Sequence, residues 1–377
     1  MNAMPRRRGG MALPMVLGAI TLVGTLIAGV MFLATQDYRV GANSLNETRA
    51  DEAAEMGLNR LTTDWDQSKN TTMVMGDTTR LSYTDPNGAT VSVFVTRLGG
   101  PFFWAVSEAQ TRGNALQYGS RRRYGSLFRL ATPAVSYLGA VTAAGNVKVS
   151  GTVTLNGNDV PPTGWACTGI PTGNMPGAVI SPTASVQTSG GVTVTGNPAY
   201  TTSTAASDTN TYFNYGSTTY TALANMANIV LSGGTYNGMT PVVNANGCNK
   251  TPNTNWGDPV RHVPAAVCET YFPIIHITGN TSLTTGSGQG ILLVDGDLTM
   301  AGNFTFTGLI IARGAVKASG GANTVTGAIM AASVDIGYTV ALTGAASVQY
   351  SSCALQSVLS ATSNLAVAKG RAWVNLY

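Results

Sequence analysis

Charge is scarce in this sequence. Asp, Glu, Lys and Arg make up 10% of its 377 residues, against roughly 25% in an average globular protein. That scarcity excludes a surface built of charged helices. The 45 glycines, with many Thr, Ser and Asn, favour β-structure with frequent turns. The formal charge of +4 is local in origin, because Arg6, Arg7 and Arg8 stand together near the start. Without them 18 basic residues face 17 acidic ones, which leaves no electrostatic footprint for nucleic acid. Histidine is nearly missing, with only His262 and His276, and none of the four cysteines forms a CxxC pair. A zinc centre is therefore not expected. No Ser-His-Asp order, phosphate-binding glycine loop or metal-ligand cluster occurs. The expectation is a protein that is not an enzyme, with no catalytic residues and no cofactor.

Four cysteines in an exported chain read as two disulfides drawn from Cys167, Cys248, Cys268 and Cys353. Three pairings are possible. We favour Cys248–Cys268, which would close a loop rich in Asn, Pro and Gly and contribute about 3 kcal/mol in the chain-entropy view.

One long hydrophobic run is present. Met11 to Gln36 carries no charge, and a helix of twenty-odd such residues spans about 30 Å of hydrocarbon. The three arginines ahead of it would keep the N-terminus cytoplasmic. Pro14 is tolerable in the first helical turn. The run is longer than the core of a secretory signal and no A-x-A site follows it. Polar helix continues instead. Ala54, Leu58, Leu61 and Trp65 recur on one face, while Glu47, Asp51 and Glu55 line another. A continuous helix from Met11 to Asp66 would reach about 84 Å. Its greasy half calls for a bilayer or the core of a filament, and its amphipathic half calls for a folded body.

The basic leader Arg6-Arg7-Arg8-Gly9-Gly10, the apolar run from Met11 and the stretch Ala53-Ala54-Glu55-Met56-Gly57-Leu58-Asn59-Arg60 resemble the N-terminus of type IV pilins, and most of all minor pilins of PilX type. The resemblance implies cleavage by a prepilin peptidase after Gly10, with Met11 as a methylated new N-terminus; cleavage after Gly9 is the alternative. It implies other pilins, the pilus assembly machinery and the inner membrane as partners, with a surface or glycan ligand as a further one. It also implies a single-pass location with a periplasmic or extracellular body that joins a surface filament. The Glu that major pilins carry at the fifth mature position is Met15 here. Without that carboxylate the sequence fits a minor, tip or initiating subunit better than a bulk one.

Beyond the helix, Ala89 to Arg97, Phe102 to Ala109 and Tyr124 to Leu130 read as strands of a small antiparallel sheet. That sheet would bury Leu58, Leu61 and Trp65. After Pro133, short Val/Thr/Ile runs alternate with Gly and Asn. Gly290-Ile291-Leu292-Leu293-Val294-Asp295-Gly296 recurs as Gly308-Leu309-Ile310-Ile311-Ala312-Arg313-Gly314, and again as Gly327-Ala328-Ile329-Met330-Ala331-Ala332-Ser333, at spacings of 18 and 19 residues. Such a period signals a solenoid, with Gly or Asn at its corners. Residues 181 to 260 read as irregular loops and broken strands. These repeats and the closing Tyr350 to Leu355 element resemble PilX-like proteins with a β-helical C-terminal region.

The fold class expected is α+β then all-β: a long N-terminal pilin-like helix, a small antiparallel sheet, then a Gly-rich parallel β-helix. The segments expected are a leader over 1–10, a transmembrane and amphipathic helix over 11–70, the sheet over 71–133, the β-helix-like region with Thr/Ser/Asn-rich loops over 134–353, and a C-terminal cap over 354–377.

Because some β-helices degrade polysaccharides, each chemical candidate is weighed against a plainer role. Asp295 and Asp297 flank Gly296 and would point to one side of an extended segment, as a Ca²⁺ or acid–base pair. Their repeat equivalents are Arg313 and Ala315, so a turn role is preferred. Asn255-Trp256-Gly257-Asp258-Pro259 would stack on a sugar or anchor its own loop, and anchoring is preferred. His276 reads as a core or edge histidine, and His262 shows no partner. Arg121, Arg122, Arg123 and Arg129 read as a solvated strand edge, with an anionic partner or membrane as the alternative. The competing overall reading is a membrane-tethered carbohydrate-binding or polysaccharide-degrading β-helix protein.

Overall fold

The computed structural model describes residues 12–113, 118–165, 167, 170–260, 267–333, 338–368 and 373–376. Gly10, Met11 and His262 lie outside the described residues. Two compact units are present. The first comprises the chain up to Asp64, Met75–Phe128 and Val367 onward; the second comprises Trp65–Val74 and Arg129–Ala366.

The first unit is built on one helix, α1 (Ala12–Thr63), 52 residues long, or about 78 Å at 1.5 Å per residue. Strands β1 (Thr78–Thr84), β2 (Thr90–Arg97), β3 (Phe102–Gln110) and β4 (Arg121–Ala131) form an antiparallel sheet in that order. Inward and outward residues alternate along β2 and β3, as expected of a sheet with one covered face. Ala50, Ala53, Ala54, Leu58 and Leu61 are buried, and the helix packs on β2 and β3. The approach is close at Gly57, where a Cβ would stand 2.4 Å from Ser107 Oγ and 2.7 Å from a Val91 methyl. Trp65 corrects the expected helix face. The helix ends at Thr63, so Trp65 falls past it and within the second unit. There its indole N–H donates to Asn70 Oδ1 at 2.7 Å, and the Asn70 amide donates to the Ser363 carbonyl at 2.7 Å. The helix span of 11–70 is likewise too long, with a separate turn of helix at Lys69–Thr72.

The second unit is a parallel β-solenoid. Ile274–Val294 pairs in parallel with Leu298–Ala312, which pairs with Thr324–Ala331. The three sequence repeats lie side by side in register: Gly290 over Gly308 over Gly327, and Leu292 over Ile310 over Ile329. Ile291 to Val294 are all fully buried. Inside they meet the solenoid core, and outside the helices Tyr220–Asn225 and Ser352–Ala361 pack on the same strand. A strand covered on both faces reads as an unbroken apolar run, which is why these segments do not alternate.

The coils do not stack in chain order. Val141–Ala143 pairs with Thr324–Ala331, and Thr154–Asn156 pairs with Ser347–Tyr350, so the first coil docks on the last. From the first coil the chain winds away through Ala178–Ile180 and Tyr200–Thr202. It then forms the opposite terminal strand, Ile229–Tyr236, against Ile274–Val294. Residues 181–260, expected as irregular loops and broken strands, hold coil strands at Val186–Ser189, Thr193–Thr195, Tyr200–Thr202 and Ile229–Tyr236. Most of these strands run only three or four residues, too short for a periodic signal.

Disulfides join Cys167 to Cys353 and Cys248 to Cys268. The expected cap over 354–377 divides. Ser352–Ala361 is a helix that buries Leu355, Val358 and Leu359 against the solenoid, and Ser351 caps its start by accepting from the Ala354 N–H. Trp373–Asn375 instead forms an antiparallel pair with β4, as suits a β-forming Trp-Val sequence.

Candidate functional site

The N-terminal part of α1 is a bare apolar surface. Thirteen large apolar side chains between Leu13 and Leu33 are exposed, Leu13 at 74% and Met15 at 72%. At roughly 1.5–3 kcal/mol for each large side chain, the cost of leaving them in water is on the order of 20–40 kcal/mol. The helix is long and apolar enough to cross a membrane, and none of its most apolar window is buried against the chain. Its hydroxyls suit an apolar medium. Thr21 donates to the Gly18 carbonyl at 2.9 Å, Thr25 to Leu22 at 2.9 Å, and Thr35 to Phe32 at 2.8 Å. Each therefore brings its own partner into hydrocarbon. A Cβ added at Gly18, Gly24 or Gly29 would meet nothing within 4 Å. Three helix-weakening glycines thus serve no contact within the chain.

The C-terminal part of α1 is clasped by polar groups. Arg122 pairs with Glu47 and reaches Asp51 at 3.2 Å, and Tyr124 donates to Asp51 at 3.2 Å. Desolvation, then the Asp51 charge, raises the Tyr124 pKa. Arg121 pairs with Glu108 at 2.6 Å, and Arg123 approaches it at 3.6 Å. Arg121, Arg122 and Arg123 are thus answered within their own unit, and Glu47 and Asp51 do not simply face water. Arg129 is exposed. The anionic-partner reading of the arginines finds no support in this arrangement.

On the solenoid, Asp295 is the centre of a partly exposed polar cluster. His276 Nε2 lies 2.9 Å from Asp295 Oδ2. Tyr220 donates to Asp295 Oδ1 at 3.1 Å, and Arg313 stands 3.8 Å from the same oxygen. The Arg313 guanidinium also lies over the Phe213 and Tyr220 rings, at 5.4 and 5.6 Å. A carboxylate engaged on three sides holds a helix to a coil. Asp297 lies in the same turn, between Ile274–Val294 and Leu298–Ala312, and its Oδ1 accepts the Ala315 N–H at 2.8 Å. The two aspartates share no partner among the described residues. No group of three or more His, Cys, Asp or Glu gathers there either.

Trp256 is fully buried, edge-on to Phe304, and its indole donates to the Asn253 carbonyl at 2.8 Å. It anchors its own loop and presents no stacking face. Asn255 donates to the Val242 and Asn249 carbonyls beside the Cys248–Cys268 bridge.

Burial also shapes titration in this unit. Tyr212, Tyr215 and Tyr220 are pushed well above the ordinary phenol value of 10.0 by desolvation, with the Asp295 charge adding to the effect at Tyr220, and Tyr271 is pushed up to about 12. A phenol whose folded pKa is raised stabilises fully below its unfolded value and loses that contribution as pH climbs toward the folded one. Stability should be flat up to pH 10 and then fall, by roughly 1.4 kcal/mol per pH unit for each such tyrosine. Urea titrations followed by circular dichroism across pH 9 to 12 check this. Tyrosinate absorbance should show these phenols ionising only as the fold is lost.

No family model matches the sequence, and no curated protein does either. Among solved structures, the crystal structure of the competence-associated pilin ComZ from Thermus thermophilus is similar over 88% of this chain and 97% of that chain, at 12% identity and a TM-score of 0.24.

Proposed function

We propose that this chain is a pilin-like structural subunit, anchored in the inner membrane by α1 and assembled with other pilins into a type IV pilus or related secretion filament. One observation carries the reading: a single unbroken helix whose first half is apolar and uncovered and whose second half is docked on a sheet. The uncovered half must leave water. A bilayer accepts it before assembly, and a bundle of like helices accepts it afterwards. Gly18, Gly24 and Gly29 support the bundle, because small residues in apolar helices let neighbouring backbones approach.

The finer reading is a minor pilin of PilX type, acting in assembly or adhesion and not in catalysis. The engagement of Asp295 by His276, Tyr220 and Arg313 and the burial of Trp256 weigh against the polysaccharide-degrading alternative. Mass spectrometry of the mature N-terminus tests the proposal. Methylated Met11 is expected in cells with a prepilin peptidase, and loss of processing in cells without it. An intact Met1, or cleavage by signal peptidase beyond the apolar run, would overturn it.

A further inference from the structure

An open groove lies where three successive solenoid coils turn a corner. Its volume is about 360 Å³, and Thr235, Asn280, Ser282, Asp297 and Thr299 contribute to its walls. Thr235, Ser282 and Thr299 sit in register on adjacent strands, so their hydroxyls form a row repeating at about 4.8 Å.

The corner itself explains Asn280 but not the charge of Asp297. Asn280 Oδ1 accepts the Asp297 N–H at 2.8 Å, and Asp297 Oδ1 accepts the Ala315 N–H at 2.8 Å. At equivalent tasks elsewhere, Asn303 Oδ1 accepts the Ala322 N–H at 2.8 Å and Asn146 Oδ1 accepts the Ser185 N–H at 2.9 Å. An asparagine suffices for this job at Asn280, Asn303, Asn146 and Asn228, whereas Asp297 brings a carboxylate to it. Glycine makes the arrangement possible. A Cβ at Gly296 would stand 2.2 Å from Asn280 Oδ1, and one at Gly314 would stand 2.3 Å from Asp297 Oδ1.

Corner duty leaves several groups open to the groove. Asp297 Oδ2, the Asn280 amide NH₂ and the hydroxyls of Thr235, Ser282 and Thr299 have no hydrogen-bond partner among the described residues. Together they offer a charged acceptor, a two-hydrogen donor and three groups that can donate or accept. A single carboxylate is too few for Ca²⁺, which takes six to eight oxygens. An anionic ligand would meet the Asp297 charge unpaid by any cation in the groove; Lys317 follows Thr299 along the row but is not part of the wall. The complement of this set is a molecule rich in adjacent, uncharged hydroxyls. A carboxylate accepts two such O–H groups through its charge-assisted bonds, and the amide donates to a neighbouring oxygen.

We infer that this groove binds a neutral pyranoside, such as a terminal or chain sugar of a surface glycan. No aromatic lines it among the described residues, so a single site is weak, and many copies along an assembly would raise the effective affinity. This goes beyond the filament reading and stands apart from it, because binding is measured on the purified chain.

The test is saturation-transfer NMR on the full chain in a detergent without sugar headgroups. The probes are methyl α-mannoside, methyl β-galactoside and methyl β-glucoside, with N-acetylneuraminic acid as the anionic control. At least one neutral pyranoside should bind and the anionic sugar should not. Asp297→Asn keeps the corner hydrogen bond through its amide oxygen while removing the charge, and should weaken binding about tenfold. Thr299→Val should weaken it too, with circular dichroism unchanged in both. Failure of all three neutral sugars to bind, equal binding by Asp297→Asn, or comparable binding of the anionic sugar would overturn the inference and leave the filament proposal untouched.

Discussion

Gly308→Ala should melt the solenoid at a markedly lower temperature than the wild type. Gly308 has φ +136°, a backbone region that favours glycine, and a Cβ there would lie 2.1 Å from the Gly290 carbonyl oxygen and 3.1 Å from a Val358 methyl. The strain alone is of order 1–3 kcal/mol, and the backbone collision adds to it because the next coil cannot yield without losing its ladder. A loss of about 3 kcal/mol or more is expected, which for a unit of this size means a melting temperature lower by roughly 6–12 °C. Gly18→Ala is the control: its Cβ would touch nothing within 4 Å and the solenoid transition should not move. Differential scanning calorimetry checks both. A Gly308→Ala protein that melts with the wild type would mean that the Gly290–Gly308–Gly327 stack is not as described.

The two disulfides should differ in value. Cys167–Cys353 closes a separation of 186 residues and Cys248–Cys268 one of 20. In the chain-entropy view the longer closure stabilises by about 5 kcal/mol and the shorter by about 3 kcal/mol. Position reinforces the order. Cys353 opens the Ser352–Ala361 helix, which covers the outside of the central coils, whereas Cys248 and Cys268 close one local loop. The double variant Cys167→Ser with Cys353→Ser should therefore unfold at lower urea than Cys248→Ser with Cys268→Ser. Equal midpoints, or the reverse order, would contradict this account.

Much of the architecture was legible because bulky residues repeat where the core is thick. Met11 to Gln36 announced an apolar helix by lacking any charge, and the antiparallel strands stood out as β-branched runs after turns. The three late coils showed as Gly-Ile/Leu repeats. The early coils showed only as short Val/Thr/Ile runs between Gly and Asn, where a strand of three residues buries one side chain or two. The docking of the first coil on the last could not be read at all, since a repeat shows that coils exist without showing their order. Trp65 falls two residues past the end of the helix and was misplaced because helical spacing carries on past the residue where the helix stops.

Asp295 shows how a repeat can mislead about chemistry. Its replacement by Arg313 one repeat later looked like the loss of a site. In a stack, residues one repeat apart are neighbours, so the replacement is the partner, and Arg313 stands beside Asp295. The helix residue Tyr220 and its bond to Asp295 had no signal in the sequence. The groove around Asp297 was visible only as one carboxylate; its hydroxyl row needed the register of the coils.

The docking of residues 141–156 on residues 324–350 sets an order of events for synthesis. A chain made from its N-terminus exposes the early coils long before the segment that covers their flank has left the ribosome. Until then one strand edge stays unzipped and open to wrong pairing, and closing so distant a contact is slow. A frameshift or premature stop late in the gene would therefore do more than shorten the protein: it would leave the first-made half permanently ajar.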